Sequence, residues 1–209
     1  MKTRDKILHT SLYLFNEEGE QNVTTVDIAN EMDISPGNLY YHFKGKESII
    51  EALYSQFDQQ LSSLLHQSIK DPLNLEEHWL FIYVVFEEIY KFRFFYLNST
   101  ELMLRYTDIE KKFRRLISVK HNTIETLCKN LIGKEALQGR HTDIKWITES
   151  IGLAVLYWFP YQTLLHPNLT AQQQIHKAVH HVLKLLLPYT GEKQDEFSLA
   201  VEALYHNNL

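Results

Sequence analysis

The sequence predicts an all-α protein in which a small N-terminal helix-turn-helix domain joins a larger helical C-terminal domain. Three observations carry that expectation. Apolar residues recur at spacings of three and four over most of the chain, the period of a helix with one buried face. Only seven glycines and five prolines punctuate 209 residues, so long helices dominate over turns. Hydrophobic residues make up 44% of the chain, enough for a substantial core, yet no stretch approaches the roughly 18 uninterrupted apolar residues of a membrane span.

The first helix is expected over residues 3–18, with Ile7, Leu8, Leu12, Leu14 and Phe15 near helical spacing and Gly19 just beyond its end. Thr24 or Thr25 caps a short second helix over residues 26–32, in which the small Ala29 allows a close helix crossing. A tight turn with Ile34 plugged beneath it leads to a third helix. Ser35 suits the start of that helix because its oxygen can cap a free backbone N–H. Pro36 follows at the first helical position, where the missing donor would have had no partner.

The stretch from Ile34 to Lys46 holds no acidic residue. At about 100° per residue, a helix that buries Leu39 and Phe43 turns Gly37, Asn38 and Tyr41 outward and leaves Tyr40 and His42 on the flanks. Gly37 lets the backbone approach a groove floor, and the Asn38 amide offers an acceptor and two donors to a base edge. Lys44 and Lys46 follow where phosphates would lie. These features are expected of a helix that reads DNA. The charge balance argues for restraint: the chain carries −5, and residues 1–46 hold five Lys/Arg against seven Asp/Glu. Binding should rest on few local contacts rather than a broad basic surface.

The run T-T-V-D-I-A-N-E-M-D-I-S-P-G-N-L-Y-Y-H-F-K-G-K-E-S-I-I resembles the N-terminal signature of the TetR family of bacterial transcriptional regulators, over about Lys2 to Leu53. The resemblance implies a three-helix DNA-binding domain, a homodimer on a double-stranded DNA operator, and a variable C-terminal domain that binds a small-molecule effector. By position it implies DNA contacts at Thr25, Gly37, Asn38, Tyr40, Tyr41, His42 and Lys46. Val26 stands where some relatives carry a polar or basic contact residue. The expected domains are 1–46 for DNA binding and 47–209 for ligand binding and dimerisation, with residues 47–70 as a connecting helix that Asp71 and Pro72 end.

Between Trp79 and Tyr96, nine of eighteen residues are aromatic. A helix apolar on nearly all sides must be surrounded, and aromatic walls with scattered polar tips enclose apolar ligands as well as forming bulky cores. The expected ligand-binding residues are Trp79, Tyr83, Phe86, Tyr90, Phe94, Met103 and Trp158, and the effector an apolar or aromatic small molecule. Glu101 and Arg105 read as a surface pair of little energetic weight. Further helices are expected over residues 108–132, with Phe113, Leu116, Ile117, Ile124, Leu127 and Leu131 inward, and over 143–165, where Gly152 permits close approach and Pro160 a kink. The last expected helices cover residues 170–188 and 193–205. The resemblance implies that 143–165 and 170–188 pair with their copies across a twofold axis.

Eleven histidines invite a metal or catalytic reading. His176 and His180 have zinc-ligand spacing beside His181, but Lys177 follows His176 where a zinc protease carries its glutamate, so surface or interface histidines are expected and no metal or cofactor. The single cysteine, Cys128, falls on an apolar helix face and excludes an internal disulfide. No glycine-rich phosphate loop or serine elbow supports an enzyme. The N-terminus lacks a cleavable apolar region, and a cytoplasmic protein is expected. The expected function is a ligand-responsive repressor; the rival is a helical small-molecule-binding or interaction module with weakened DNA binding, favoured by the net negative N-terminal segment.

Overall fold

A computed structural model describes residues 2–67, 74–133, 137–138 and 140–207. The described residues are helical and loop, without strands. The helices are α1 (Thr3–Glu18), α2 (Thr25–Glu31), α3 (Pro36–His42), α4 (Lys46–Gln67), α5 (Leu75–Lys91), α6 (Phe94–Leu97), α7 (Ser99–Arg105), α8 (Thr107–Gly133), α9 (His141–Leu165), α10 (Ala171–Lys184) and α11 (Gln194–Asn207). The expected helix end at Asp71 and Pro72 lies outside the described residues.

The local signals act where the sequence puts them. Gly19 ends α1 at φ 84°, a left-handed value that favours glycine. Thr24 closes a capping box on α2: its hydroxyl accepts from the Asp27 N–H at 3.2 Å, and the Asp27 carboxylate accepts the Thr24 N–H at 2.8 Å. The Thr24 hydroxyl, which also donates to this carboxylate at 2.6 Å, and then the Thr24 N–H hold the Asp27 carboxyl below its ordinary value. The turn passes through Asp33 at φ 53°, with the Ile34 N–H donated to the Ala29 carbonyl at 3.0 Å. Ser35 then caps α3 by accepting from the Asn38 N–H at 3.1 Å, with Pro36 in its first turn.

The chain divides into two compact units that do not follow the expected boundary at residue 46. One comprises Met1–Gln60 with Phe92–Lys112, the other Leu61–Lys91 with Phe113–Leu209. The reason lies in residues that join distant parts of the first unit. Asn16 accepts the Phe94 N–H at 3.1 Å, and Arg93 pairs with Glu17. Phe57 packs against Phe92, Phe95 and Tyr96 with ring centroids 5.3–6.0 Å apart, while Phe94 lies 5.4 Å from Phe15. The second half of the aromatic run therefore builds the core of the N-terminal unit.

In the second unit α10 packs against α5, α9 and α11. Ile175, Val179, Val182 and Leu183 fill its buried face. Trp158 donates its indole N–H to the Gln174 carbonyl at 2.9 Å, and Phe159 meets Phe86 and Tyr90 edge-on. Helix α9 runs on through Pro160. At Gly152 an added Cβ would meet nothing within 4 Å, so no helix among the described residues comes that close there. One face is rotated from expectation: Ile117 is exposed and Lys120 is buried, because Phe113, Leu116, Lys120 and Thr123 form a continuous stripe at spacings of four and three.

Candidate nucleic-acid interface and apolar cavity

Helix α3 buries Leu39, with Phe43 buried at its C-cap, and turns its other side to solvent. Gly37 and Asn38 are exposed, and Tyr41 is the most open of the larger side chains at 79%. Beyond Gly37 the nearest atom an added Cβ would meet is the Ser35 hydroxyl at 3.8 Å, so the backbone is open to close approach. Tyr40 is 57% exposed with the Lys44 ammonium 4.8 Å over its ring, and half-buried His42 touches Tyr41 edge-on at 5.1 Å. Thr25 is half-buried at the first turn of α2, beside an exposed Val26. Arg4 lies over the ring of Phe43, 4.8 Å from its centre. One polar strip of α3, bordered by cations, thus lies on the surface of the first unit.

Lys46 differs from the other residues of this set. Its ammonium donates to the backbone carbonyls of Glu20 at 2.6 Å and Val23 at 3.0 Å, and pairs with the Glu20 carboxylate at 2.7 Å. Glu20 is only 5% exposed; the oxygen that pairs with Lys46 also accepts from the Tyr106 hydroxyl at 2.7 Å, and its other oxygen takes Arg105 at 2.9 Å. Burial and the carboxylate beside it push the Tyr106 phenol well above its ordinary value. Arg105 also pairs with Glu101 at 2.7 Å, so the expected surface pair is one edge of a buried network. Sequence spacing could not reveal it, since Glu20 is far from Lys46 and Arg105 along the chain.

In the second unit an apolar cavity of about 80 Å³ is lined from α4, α5, α8, α9 and α10. Of the expected ligand residues only Phe86 reaches it. Tyr83 and Trp79 face the His176 ring, at 5.2 and 6.4 Å, because their side of α5 packs on α10. Tyr90 and Trp158 are engaged with Phe159 and α10 as described above. Phe94 and Met103 belong to the first unit. The wall residues that spacing did not suggest include Phe81, Ile82, Val85, Val182, Leu183 and Lys120.

Lys120 is 6% exposed, its ammonium 5.7 Å from the centre of the Phe113 ring, and burial lowers its pKa to about 7. Cys128, also on the wall, has its thiol pushed up to about 11 by burial and by the Glu125 charge. The histidines divide. His176 is 3% exposed, not a surface residue, and its Nδ1 finds no hydrogen-bond partner among the described residues; burial lowers its pKa. His180 lies 3.2 Å from Glu202, and the exposed His181 is held low by partial burial and the neighbouring His180. Among the described residues no group of three or more His, Cys, Asp or Glu side chains is placed to hold a metal ion, and no helix is long and apolar enough to cross a membrane.

This architecture has close counterparts. Residues 7–53 match the profile described as bacterial regulatory proteins, tetR family, and residues 56–197 match the TetR profile described as bacterial transcriptional repressor. The biofilm operon icaADBC HTH-type negative transcriptional regulator IcaR of Staphylococcus aureus (strain Newman) is 28% identical over 132 residues, 63% of this chain, and the chain spans 60% of that relative's length. A TetR-family transcriptional regulator from Marinobacter aquaeolei VT8 has a TM-score of 0.87 and 28% identity, covering 100% of this chain and 99% of its own. SmeT in complex with triclosan, at 17% identity, has the same fold, with a TM-score of 0.62 over 92% of this chain and 93% of its own; it is the repressor of the Stenotrophomonas maltophilia multidrug efflux pump SmeDEF. With profiles matched on both sides of the chain, over residues 7–53 and 56–197, the chain belongs to the TetR family of bacterial transcriptional regulators.

Proposed function

We propose that this regulator is a repressor that sits as a homodimer on a near-palindromic operator and leaves it when a largely apolar small molecule enters the cavity. The observation that carries the reading is the exposed strip Gly37, Asn38 and Tyr41 on a capped α3, flanked by Tyr40, His42 and Lys44. Its shape and chemistry suit base edges in a major groove at the centre and phosphates at the sides. IcaR, a negative regulator, and SmeT, a repressor seen with triclosan, support repression and effector binding by likeness.

Dimerisation is supported by α9. Trp146, Leu153, Tyr157, Tyr161 and Leu164 are exposed at successive spacings of seven, four, four and three, a continuous apolar stripe on one helix face. Such a stripe on a soluble chain marks an interface, and a twofold pairing would cover it with its copy. In contrast α10 commits its apolar face to its own unit. A dimer of this kind must hold two reading helices about 34–36 Å apart to enter successive major grooves. An effector changes that spacing only through its differential affinity for the two arrangements.

The division of labour follows: residues 1–46 read DNA and 47–209 bind effector and partner. Asn38→Ala and Tyr41→Ala are each expected to weaken operator binding roughly 10–100-fold while helicity and dimerisation stay intact, since a good base contact is worth about 1–3 kcal/mol. Unchanged affinity by fluorescence anisotropy would overturn the assignment of this face. Lys44 and Lys46 separate two ways of serving the backbone. Lys44→Ala is expected to lower the slope of log affinity against log salt by about one. Lys46→Met should leave the slope unaltered and lower stability instead, because the ammonium is held inside and the phosphate contact comes from the N–H groups that open α4. An equal change of slope in both variants would sink that distinction.

A further inference from the structure

One ammonium ties the helix-turn-helix together at both of its ends. Lys46, the first residue of α4, donates at 3.0 Å to the carbonyl of Val23, the residue before the Thr24 cap of α2. Between those two points lie α2, the turn at Asp33 and α3. Only Phe43, Lys44 and Gly45 separate α3 from Lys46; Phe43 is buried, and the Ser48 hydroxyl donates to the Gly45 carbonyl at 2.7 Å. A connection so short and so tied passes a shift of Lys46 on to α3. What seats the ammonium comes from far along the chain. Tyr106 shares with Lys46 one oxygen of the Glu20 carboxylate, and Arg105 holds the other. Arg105 ends α7 and Tyr106 stands between α7 and α8, 85 and 86 residues from Glu20, yet all of them lie in the first unit. Glu20 and Tyr106 are both buried, so water competes little for these bonds, and the carboxylate cannot turn with Lys46 alone.

Resting on the reading of α3 as the helix that enters the groove, we infer that Arg105 and Tyr106 are positioning residues for operator binding. They orient the Glu20 carboxylate, the carboxylate seats the Lys46 ammonium, and the ammonium fixes the two ends of the helix-turn-helix. The α7–α8 junction thereby serves DNA reading from outside residues 1–46 and without meeting the DNA. Loosening it costs base contacts before phosphate contacts, because hydrogen bonds fall off steeply with geometry whereas charge attraction acts over a longer range.

The test uses the full chain and two labelled duplexes of equal length, one that the wild type selects from a random pool and one unselected. Affinities are read by anisotropy at a temperature where urea titration shows every variant folded. Tyr106→Phe removes one hydroxyl and is expected to weaken binding of the selected duplex about three- to tenfold. Affinity for the unselected duplex and the slope of log affinity against log salt should stay as in the wild type. Arg105→Met should behave likewise. In a Lys46→Met background Tyr106→Phe should cost less than about 1.5-fold, because the group it acts through is gone. Wild-type affinity for the selected duplex, with a loss confined to the urea midpoint, overturns the inference; so does an equal loss in both backgrounds. A salt slope lowered by about one in Arg105→Met reveals a direct phosphate contact and removes Arg105 from the set. Asn38→Ala in the same assay keeps the two readings apart. If it has no effect while the coupling of Tyr106 to Lys46 holds, the reading face falls and the positioning stands; if it weakens binding and the coupling is absent, the positioning falls alone.

Discussion

Glu20→Ala is expected to lower the stability of the protein by about 2–4 kcal/mol, read as a shift in the urea midpoint followed by circular dichroism. The carboxylate is almost fully buried and takes three partners: Lys46 at 2.7 Å, Arg105 at 2.9 Å and the Tyr106 hydroxyl at 2.7 Å. Removing it leaves an ammonium and a guanidinium beside each other without their anion, and breaking one partner of a buried ion pair costs more than the pair itself contributed. Arg105 is partly exposed, so water recovers some of its hydration and the loss stays below that of a fully buried triad. Glu20→Gln keeps the shape and one acceptor and should fall between the two. The same network holds the first residue of α4, so operator affinity should fall in Glu20→Ala even where the protein remains folded. A midpoint within experimental error of the wild type would show that the network is incidental.

Lys120→Met should act in the opposite direction and depend on pH. The amine titrates near 7 in the folded chain against 10.5 when unfolded, because burial disfavours its charge. Between those values the unfolded state binds the extra proton, so wild-type stability rises with pH, by up to about 1.4 kcal/mol per unit. The cost is present in full below about pH 7 and vanishes as the pH approaches 10.5. Methionine of similar length carries no such cost. The variant is therefore expected to be more stable than the wild type at pH 7, by an amount on the order of a few kcal/mol that shrinks by about 2–3 kcal/mol at pH 9. Urea unfolding of both proteins at the two pH values measures the difference, and a difference that does not narrow would rule out a desolvated amine.

The caps and faces of the N-terminal helices were legible because they depend on neighbours within a few residues. Thr24 with Asp27, Ser35 with Pro36, and Gly19 each act on a backbone group three or four positions away at most. The exposure of Gly37, Asn38 and Tyr41 follows from the burial of Leu39 and Phe43 and the period of one short helix. The aromatic run pointed to burial, which is complete at Trp79, Phe86, Phe92, Phe94, Phe95 and Tyr96 and partial at Phe81, Tyr83 and Tyr90, but not to its destination. Phe92, Phe94, Phe95 and Tyr96 went to the core around Tyr54 and Phe57, while Trp79 and Tyr83 went to His176. On α8 the stripe through Phe113 and Leu116 pointed at Lys120 all along, yet a lysine is so rarely buried that Ile117 looked the better inward residue.

By itself the sequence determined the helical class, the helix-turn-helix with the outward face of its second helix, and through its signature the TetR family. Helical period and capping are local, and each states which side of an element is buried. Only the tertiary structure decided what lies against that side: that Lys46 turns its ammonium to Glu20 instead of solvent, that residues 92–112 join the first unit, and that the cavity is lined by Phe81, Phe86 and Lys120 rather than by Trp79, Tyr83 and Tyr90. The physical reason is that burial of a face lowers the free energy against any apolar neighbour, whereas the choice of neighbour depends on contacts between residues far apart in the chain.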